Sequence, residues 1–374
     1  DVYKRQDNEN EIAIIADLTI GKKPFVDTYK SDVRYIKKKD LIHVTNIGGP
    51  LKHLENNWKF VQKENFTEVP GWHPAVDRVI PVAIRRWRKS LMKTYLTHEF
   101  RTFKRALQGT RYDLVIDAQG LIKSGIISRM SRGLTIGLSN RTVREPMAAL
   151  FYNKAYSVPW TEHAVDRVRQ LFSRALQYQY DPHSISYGLD TNKLKTLTED
   201  VPAKTVVFLH GTTWSTKHWP MYFWRELAFL ATKSGFQVLL PWGNSAEKER
   251  AEYISDGNEM AKVLERQSLS GVAQHINDSK GVIAVDTGLG HLAAALEKPT
   301  VSLYGPTDPA LSGTFGLNQI HLVSNFDCAP CVKKTCSYNG PEIKDFYNGN
   351  EILVSPPCFS TNRPDYVWAV SYTH

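Results

Sequence analysis

From its middle onward the chain alternates short apolar runs with stretches in which apolar residues return every three or four positions. The runs are Thr205–Leu209, Phe236–Leu240, Ala261–Leu264, Gly281–Val285 and Thr300–Tyr304. Between them Trp219–Lys233, Ser245–Ile254, Ser268–Asp278 and Gly290–Glu297 keep helical spacing. Repetition of strand and helix predicts a parallel sheet covered by helices on both faces. The first half repeats the pattern less regularly. Val79–Ile84, Tyr112–Asp117 and Gly133–Gly137 read as strands. Met92, Leu96, Phe100, Phe103 and Leu107 predict one amphipathic helix. Further helices are expected from Ala118-Gln119-Gly120 through Ile127, over Arg144–Tyr152 and over Glu162–Gln177. Residues 1–58 show no sustained period, with Glu11–Ala16 a short candidate strand. The polar stretch Tyr178–Lys204, with Pro182, Gly188 and Pro202, reads as a linker. The expected class is α/β, two Rossmann-like domains around a cleft, with ligands at the carboxyl ends of the strands.

Composition narrows this. With 17 Tyr, 15 Phe and 9 Trp in 374 residues, disorder is excluded as the dominant state. No apolar run approaches the roughly 18 residues of a membrane span, and Asp1–Asn10 is too polar for a signal peptide, so a soluble protein is expected. The formal charge is +9, and it is uneven: between Pro81 and Leu107 stand eight basic residues and one acid, Glu99. A localised basic patch attracts an anion, whether nucleic acid, an acidic membrane or a charged substrate, unless it is simply a solvated helix face.

The strand ends carry the candidate chemistry. Val285-Asp286-Thr287-Gly288-Leu289-Gly290-His291 leaves a buried strand and enters a helix. Its N–H groups, uncovered by glycine, suit a phosphate, with Thr287 and His291 as further donors; alternatively Asp286 or Thr287 caps the helix. The match of Gly288–Ala293 to G-x-G-x-x-A follows the fourth strand of its domain, so it reads as a phosphate turn and not as a nicotinamide fingerprint. After Thr205–Leu209 comes a hydroxyl-rich loop in which Thr212 and Thr213 can bond phosphate oxygens and Lys217 can neutralise them. Glu247, beyond Pro241-Trp242-Gly243, is placed to accept ribose hydroxyls or to remain a surface acid. Tyr304–Pro309 is a turn-rich loop after the last strand. No Asp-x-Asp, P-loop or G-x-S-x-G occurs in the chain. Cys328, Cys331, Cys336 and Cys358 are the only cysteines. Their C-x2-C-x4-C start fits either a thiolate metal site or reduced thiols in a C-terminal loop.

Together, Pro70–Lys89, Asp117–Ser124, Arg144-Glu145-Pro146, Phe208–Pro220, Leu240–Gly243, Val285–Leu292 and Tyr304–Pro309 resemble the lipopolysaccharide heptosyltransferase family, over roughly residues 59–325. The resemblance implies a GT-B fold and inverting, metal-independent transfer of L-glycero-D-manno-heptose from ADP-heptose to the Kdo of Kdo-lipid A. It implies no cofactor and no nucleic-acid partner. It also implies a cytoplasmic enzyme in peripheral contact with the inner face of the inner membrane. By motif, Thr212, Thr213 and Lys217 would hold the diphosphate and Glu247 the ribose. Asp286, Thr287, Gly288 and His291 would hold the donor sugar and phosphates. Arg85, Arg86, Arg88, Lys89, Lys123 and Arg144 would meet the anionic acceptor. The family's presumed base is the Asp of a Ser-Ser-x-Gly-Asp loop. Residues 1–58 carry no such sequence, Asp17 being the nearest positional stand-in, so a donor-binding relative without turnover stays open. The expected organisation is residues 1–58 unassigned, with a non-native origin open; 59–185, an acceptor-binding domain expected to be incomplete; 186–325, the ADP-sugar domain; and 326–374, a cysteine-containing tail.

Overall fold

The computed structural model describes residues 41–44, 58–90, 92, 97–183, 185–194, 202, 204–347 and 349–360. Asp17 and the candidate strand Glu11–Ala16 lie outside these residues. The described chain divides into two compact units between Lys193 and Leu194, against an expected boundary at 185/186.

The first unit is built on six parallel strands. They are β1 (Leu41–Val44), β2 (Trp58–Lys63), β3 (Val76–Val82), β4 (Arg111–Asp117), β5 (Arg132–Leu138) and β6 (Lys154–Tyr156), in the order β3-β2-β1-β4-β5-β6. Leu41–Val44, from a stretch without readable periodicity, pairs with β2 on one side and β4 on the other. The basic segment is divided. Arg85–Lys89 lie in the short helix α1 (Ile84–Lys89), and the amphipathic pattern becomes α2 (Glu99–Gln108). The single helix expected from Met92 onward is therefore corrected: His98 stands in the left-handed region (φ 55°) immediately before α2, which breaks the run. Phe103 and Leu107 are buried as the pattern requires, whereas Met92 and Phe100 are exposed. Helices α3 (Ile122–Met130) and α4 (Ala164–Leu176) follow β4 and β6. Pro146 opens a 3-10 turn, Pro146–Phe151, where a longer helix was expected.

The second unit follows the predicted alternation closely. Its strands are β7 (Thr205–Leu209), β8 (Gln237–Leu240), β9 (Ala261–Val263), β10 (Gly281–Val285), β11 (Thr300–Tyr304) and β12 (Gln319–Val323). All are parallel, in the order β12-β11-β10-β7-β8-β9. Between them run α5 (Met221–Lys233), α6 (Ser245–Ser255), α7 (Leu269–Asp278) and α8 (Gly288–Ala295). Phe208, Trp219, Phe223, Trp224, Val285 and Leu303 form its core, joined by Phe326, Cys358 and Phe359. The cysteine-bearing residues thus pack into this unit. In each sheet the strand order reverses at the centre, between β1 and β4 and between β7 and β10. Such a reversal opens a crevice at the carboxyl ends of the strands. Among the described residues no helix is long and apolar enough to cross a membrane.

Candidate active site

The loops leaving β7 and β10, neighbours at the reversal point of the second sheet, meet at Asp286. Its Oδ2 lies 3.0 Å from the Lys217 Nζ and accepts a hydrogen bond from the Thr307 hydroxyl at 2.6 Å. The Thr212 hydroxyl donates to the Asp286 carbonyl at 3.1 Å. Lys217 is 3% and Asp286 6% exposed, a degree of burial that charged residues tolerate only when paired. Burial by itself would push the Asp286 carboxyl up. The charges of Lys217 and His291 and the Thr307 hydroxyl outweigh it and hold the carboxyl below its ordinary value. Lys217 also lies 4.2 Å from the centroid of the buried Trp214 ring, a face that attracts a cation.

The sequence left open whether Asp286 or Thr287 merely caps α8. Neither does. Thr287 is the N-cap residue but its side chain makes no capping bond, and Asp286 is turned to Lys217 and Thr307. No cap side chain therefore bonds the backbone N–H groups at the start of α8, next to the buried pair; those of Gly290 and His291 turn back to the Thr287 carbonyl, at 3.0 and 3.4 Å. His291, one turn in, is 3% exposed. Thr213 is exposed on the β7 loop.

Glu247 sits in the first turn of α6, whose N-cap Asn244 accepts a hydrogen bond from the Glu247 N–H at 3.0 Å. The Glu247 carboxylate in turn accepts from the Gly243 N–H at 2.7 Å. It lies against Gly211, where a Cβ would come within 2.9 Å of the carboxyl carbon. A side chain at 211 would require the Glu247 carboxyl to shift. Burial and then the Arg250 charge push His210 down to about 3 and His218 to about 4, so both rings stay neutral beside these loops.

In the first unit the expected acceptor residues separate into two sets. Arg85, Lys123, Arg144 and Arg88 gather at the carboxyl ends of the strands, where burial first, then Arg85 and Arg144, lower the Lys123 ammonium. Arg86 is committed elsewhere. Its guanidinium bridges Glu64 and Glu99, each at 2.8 Å, and Trp87 Nε1 donates to the same Glu99 at 2.8 Å. The bonds to Glu64, then Glu99, hold Arg86 further above its ordinary value. Lys89 is exposed at the end of α1.

Glycosyltransferase family 9 (heptosyltransferase) matches residues 100–341 of the chain. The chain belongs to that family. Lipopolysaccharide heptosyltransferase 1 of Pseudomonas aeruginosa is 48% identical over 333 residues, 88% of this chain and 92% of that protein. The Escherichia coli protein of the same name is 43% identical over 286 residues, 75% of this chain and 89% of that protein. In the solved structures, the E. coli heptosyltransferase WaaC with ADP superposes with a TM-score of 0.71 at 40% identity, covering 76% of this chain and 93% of that one. The same enzyme with ADP-2-deoxy-2-fluoro heptose gives 0.65 at 43% identity, covering 71% and 82%. The family 9 chain is a heptosyl glycosyltransferase with the α/β GT-B fold.

Within each unit, some residues at the strand ends were not singled out from the sequence. Thr307 stands in the turn-rich loop after β11, but nothing in that loop marks it as a ligand of Asp286. Lys63, at the end of β2, is pushed down to about 7 by burial, then by Arg85 and Lys123. In sequence it is one lysine among several. Asp117 is buried and pushed up to about 6, chiefly by desolvation. All four cysteines are unbridged. Among the described residues no group of three or more His, Cys, Asp or Glu is arranged to hold a metal ion.

Proposed function

We propose that this family 9 chain transfers L-glycero-D-manno-heptose from ADP-heptose to the Kdo of Kdo-lipid A in lipopolysaccharide inner-core biosynthesis, with inversion and without a metal in the nucleotide site. The observation that carries the reading is the buried Lys217–Asp286 pair beside the uncapped start of α8. A nucleoside diphosphate leaving group gathers charge as the sugar departs. Helix N–H groups and an ammonium preorganised in a water-poor site stabilise such charge most where it develops. An ammonium has three donors, and Asp286 uses one of them, so Lys217 keeps donors for a phosphate oxygen. Thr212, Thr213, Thr287, Gly288 and His291 complete the diphosphate and sugar site, and Glu247 accepts the ribose hydroxyls.

The acceptor is anionic, and its carboxylates and phosphates are met by Arg85, Arg88, Lys123 and Arg144, with Lys63 added and Lys89 at the edge. Arg86 shapes this surface through Glu64 and Glu99. An anionic lipid-linked acceptor brings the enzyme to the inner face of the inner membrane as a peripheral visitor. The metal-free reading rests on the lack of any Asp-x-Asp in the chain. A second reading, donor binding without turnover, draws on residues 1–58 holding no Ser-Ser-x-Gly-Asp sequence.

The donor assignment is tested by titrating ADP calorimetrically into the chain and into Lys217→Ala. Loss of a charge-assisted bond predicts about tenfold or weaker binding. Unchanged affinity in a folded variant would refute the assignment.

A further inference from the structure

The residues between Phe326 and Ser360 carry the cysteines, and the proposed reaction makes no use of them. They rest on the loops of the donor site. The Ser215 hydroxyl donates to the Lys334 carbonyl at 2.9 Å, and the Thr216 hydroxyl to the Lys333 carbonyl at 2.6 Å. The Lys334 ammonium lies 5.7 Å from the centroid of Trp214, the ring on which Lys217 also rests. The Val332 N–H donates to the Pro306 carbonyl at 2.8 Å, one residue before Thr307. Farther along, Cys358 and Phe359 are anchored in the core of the unit, and a Cβ on Gly305 would lie 2.9 Å from the Cys358 Sγ. One segment therefore touches both the turn that bears Lys217 and the loop that bears Thr307, the two side chains that grip the Asp286 carboxylate.

The turn needs such support. Ser215–Lys217 is a single 3-10 turn, closed by Lys217 N–H to the Trp214 carbonyl at 3.1 Å and His218 N–H to the Ser215 carbonyl at 3.3 Å. One turn of this geometry has weak hydrogen bonds and little cooperativity of its own. The Thr216 bond is shorter than either, and the residue is 3% exposed. It joins side chain to backbone across 117 positions of sequence.

We propose that Thr216, seconded by Ser215, is a positioning residue for Lys217, and that the cysteine-bearing segment is a built part of the donor site. The proposal rests on the donor-site reading given above. Thr216 does not touch the ligand; it fixes the turn from which the ammonium reaches it.

The test is a double-mutant cycle read by ADP calorimetry on the full chain, with melting temperatures recorded alongside. Thr216→Val keeps the shape and removes the hydroxyl. It should weaken ADP binding about two- to tenfold, the worth of one buried hydrogen bond. Thr216→Ser should restore affinity to within about twofold. Adding Thr216→Val to Lys217→Ala should change affinity by less than about twofold, because Thr216 acts through Lys217. Unchanged ADP affinity in Thr216→Val would overturn the proposal. So would an equal loss in the Lys217→Ala background, which marks a general structural role. Should Thr216→Val fail to fold, Ser215→Ala is put through the same cycle with the same two criteria. If Lys217→Ala itself binds ADP like the parent, the donor-site reading falls and takes this proposal with it.

Discussion

A lysine at the end of a strand is an ordinary surface residue until its neighbours are counted. Lys63 closes β2, in register with Val82 of β3, and Arg85 comes three residues after that valine. Half-buried among like charges, the Lys63 ammonium is pushed down to about 7, by burial first and then by Arg85 and Lys123. Below about pH 7 Lys63 is charged and adds to the field that draws an anionic acceptor; above it that contribution is lost. The Kdo-lipid A KM should therefore rise between about pH 6 and pH 8 more than the ADP-heptose KM does. Lys63→Arg, which stays charged throughout, should flatten the difference. Parallel pH profiles for both substrates, or a profile unaltered by Lys63→Arg, would remove Lys63 from the acceptor site. Arg86 shows the converse: a basic residue within a conspicuous basic run whose charge is spent on Glu64 and Glu99.

At the scale of elements, one buried carboxylate locks the carboxyl end of β4 to the next turn, to α3 and to Tyr152. Asp117 Oδ1 accepts from the N–H groups of Gln119 at 2.9 Å and Gly120 at 3.1 Å. Its Oδ2 accepts from the Ser124 hydroxyl of α3 and from Tyr152, just past the Pro146–Phe151 turn, each at 2.8 Å. Desolvation still prevails over these bonds and pushes the carboxyl from 3.8 up to about 6. A carboxyl whose folded pKa is raised gives a stability contribution that is full below about pH 4 and lost as pH rises through about 6. Tyr152→Phe should accordingly cost about 1.5–3 kcal/mol at about pH 8, where it strips a donor from a charged group. The cost should be smaller at about pH 5, where the folded carboxyl is largely protonated. Chemical denaturation at the two pH values checks this; an equal cost at both would mean that Asp117 does not titrate between them. A separate bond ties the residues next to Lys123 and Arg144: the Ile122 N–H donates to the Glu145 carboxylate at 2.6 Å, joining the start of α3 to the chain after β5.

At the scale of the whole molecule, the second unit was legible because strands buried by helices on both faces read as short apolar runs. The five strands and four helices predicted there recur with ends shifted by a residue or two. Some other strands were not. β12 and β6 bury little of their side chains and so leave no apolar run to read. Leu41–Val44, central in its sheet, is four residues long and stands in a stretch with no sustained period around it. The residues proposed to bind the donor could be picked out as candidates for a related reason: they stand where strands end, and Asp286, Thr287 and Lys217 are chemically conspicuous there. What no sequence pattern could supply is the pairing across distance, such as Thr307 with Asp286 or Thr216 with Lys333, because a hydroxyl's partner depends on how the loops close. Heptosyl transfer from ADP-heptose to Kdo-lipid A is read as turnover. The full chain is incubated with ADP-heptose and Kdo-lipid A in excess chelator, and the acceptor is weighed by mass spectrometry while ADP release is followed. The acceptor should become heavier by one heptosyl residue, with ADP released in equal amount. An acceptor of unchanged mass, from a chain that calorimetry shows to bind ADP-heptose, would contradict it.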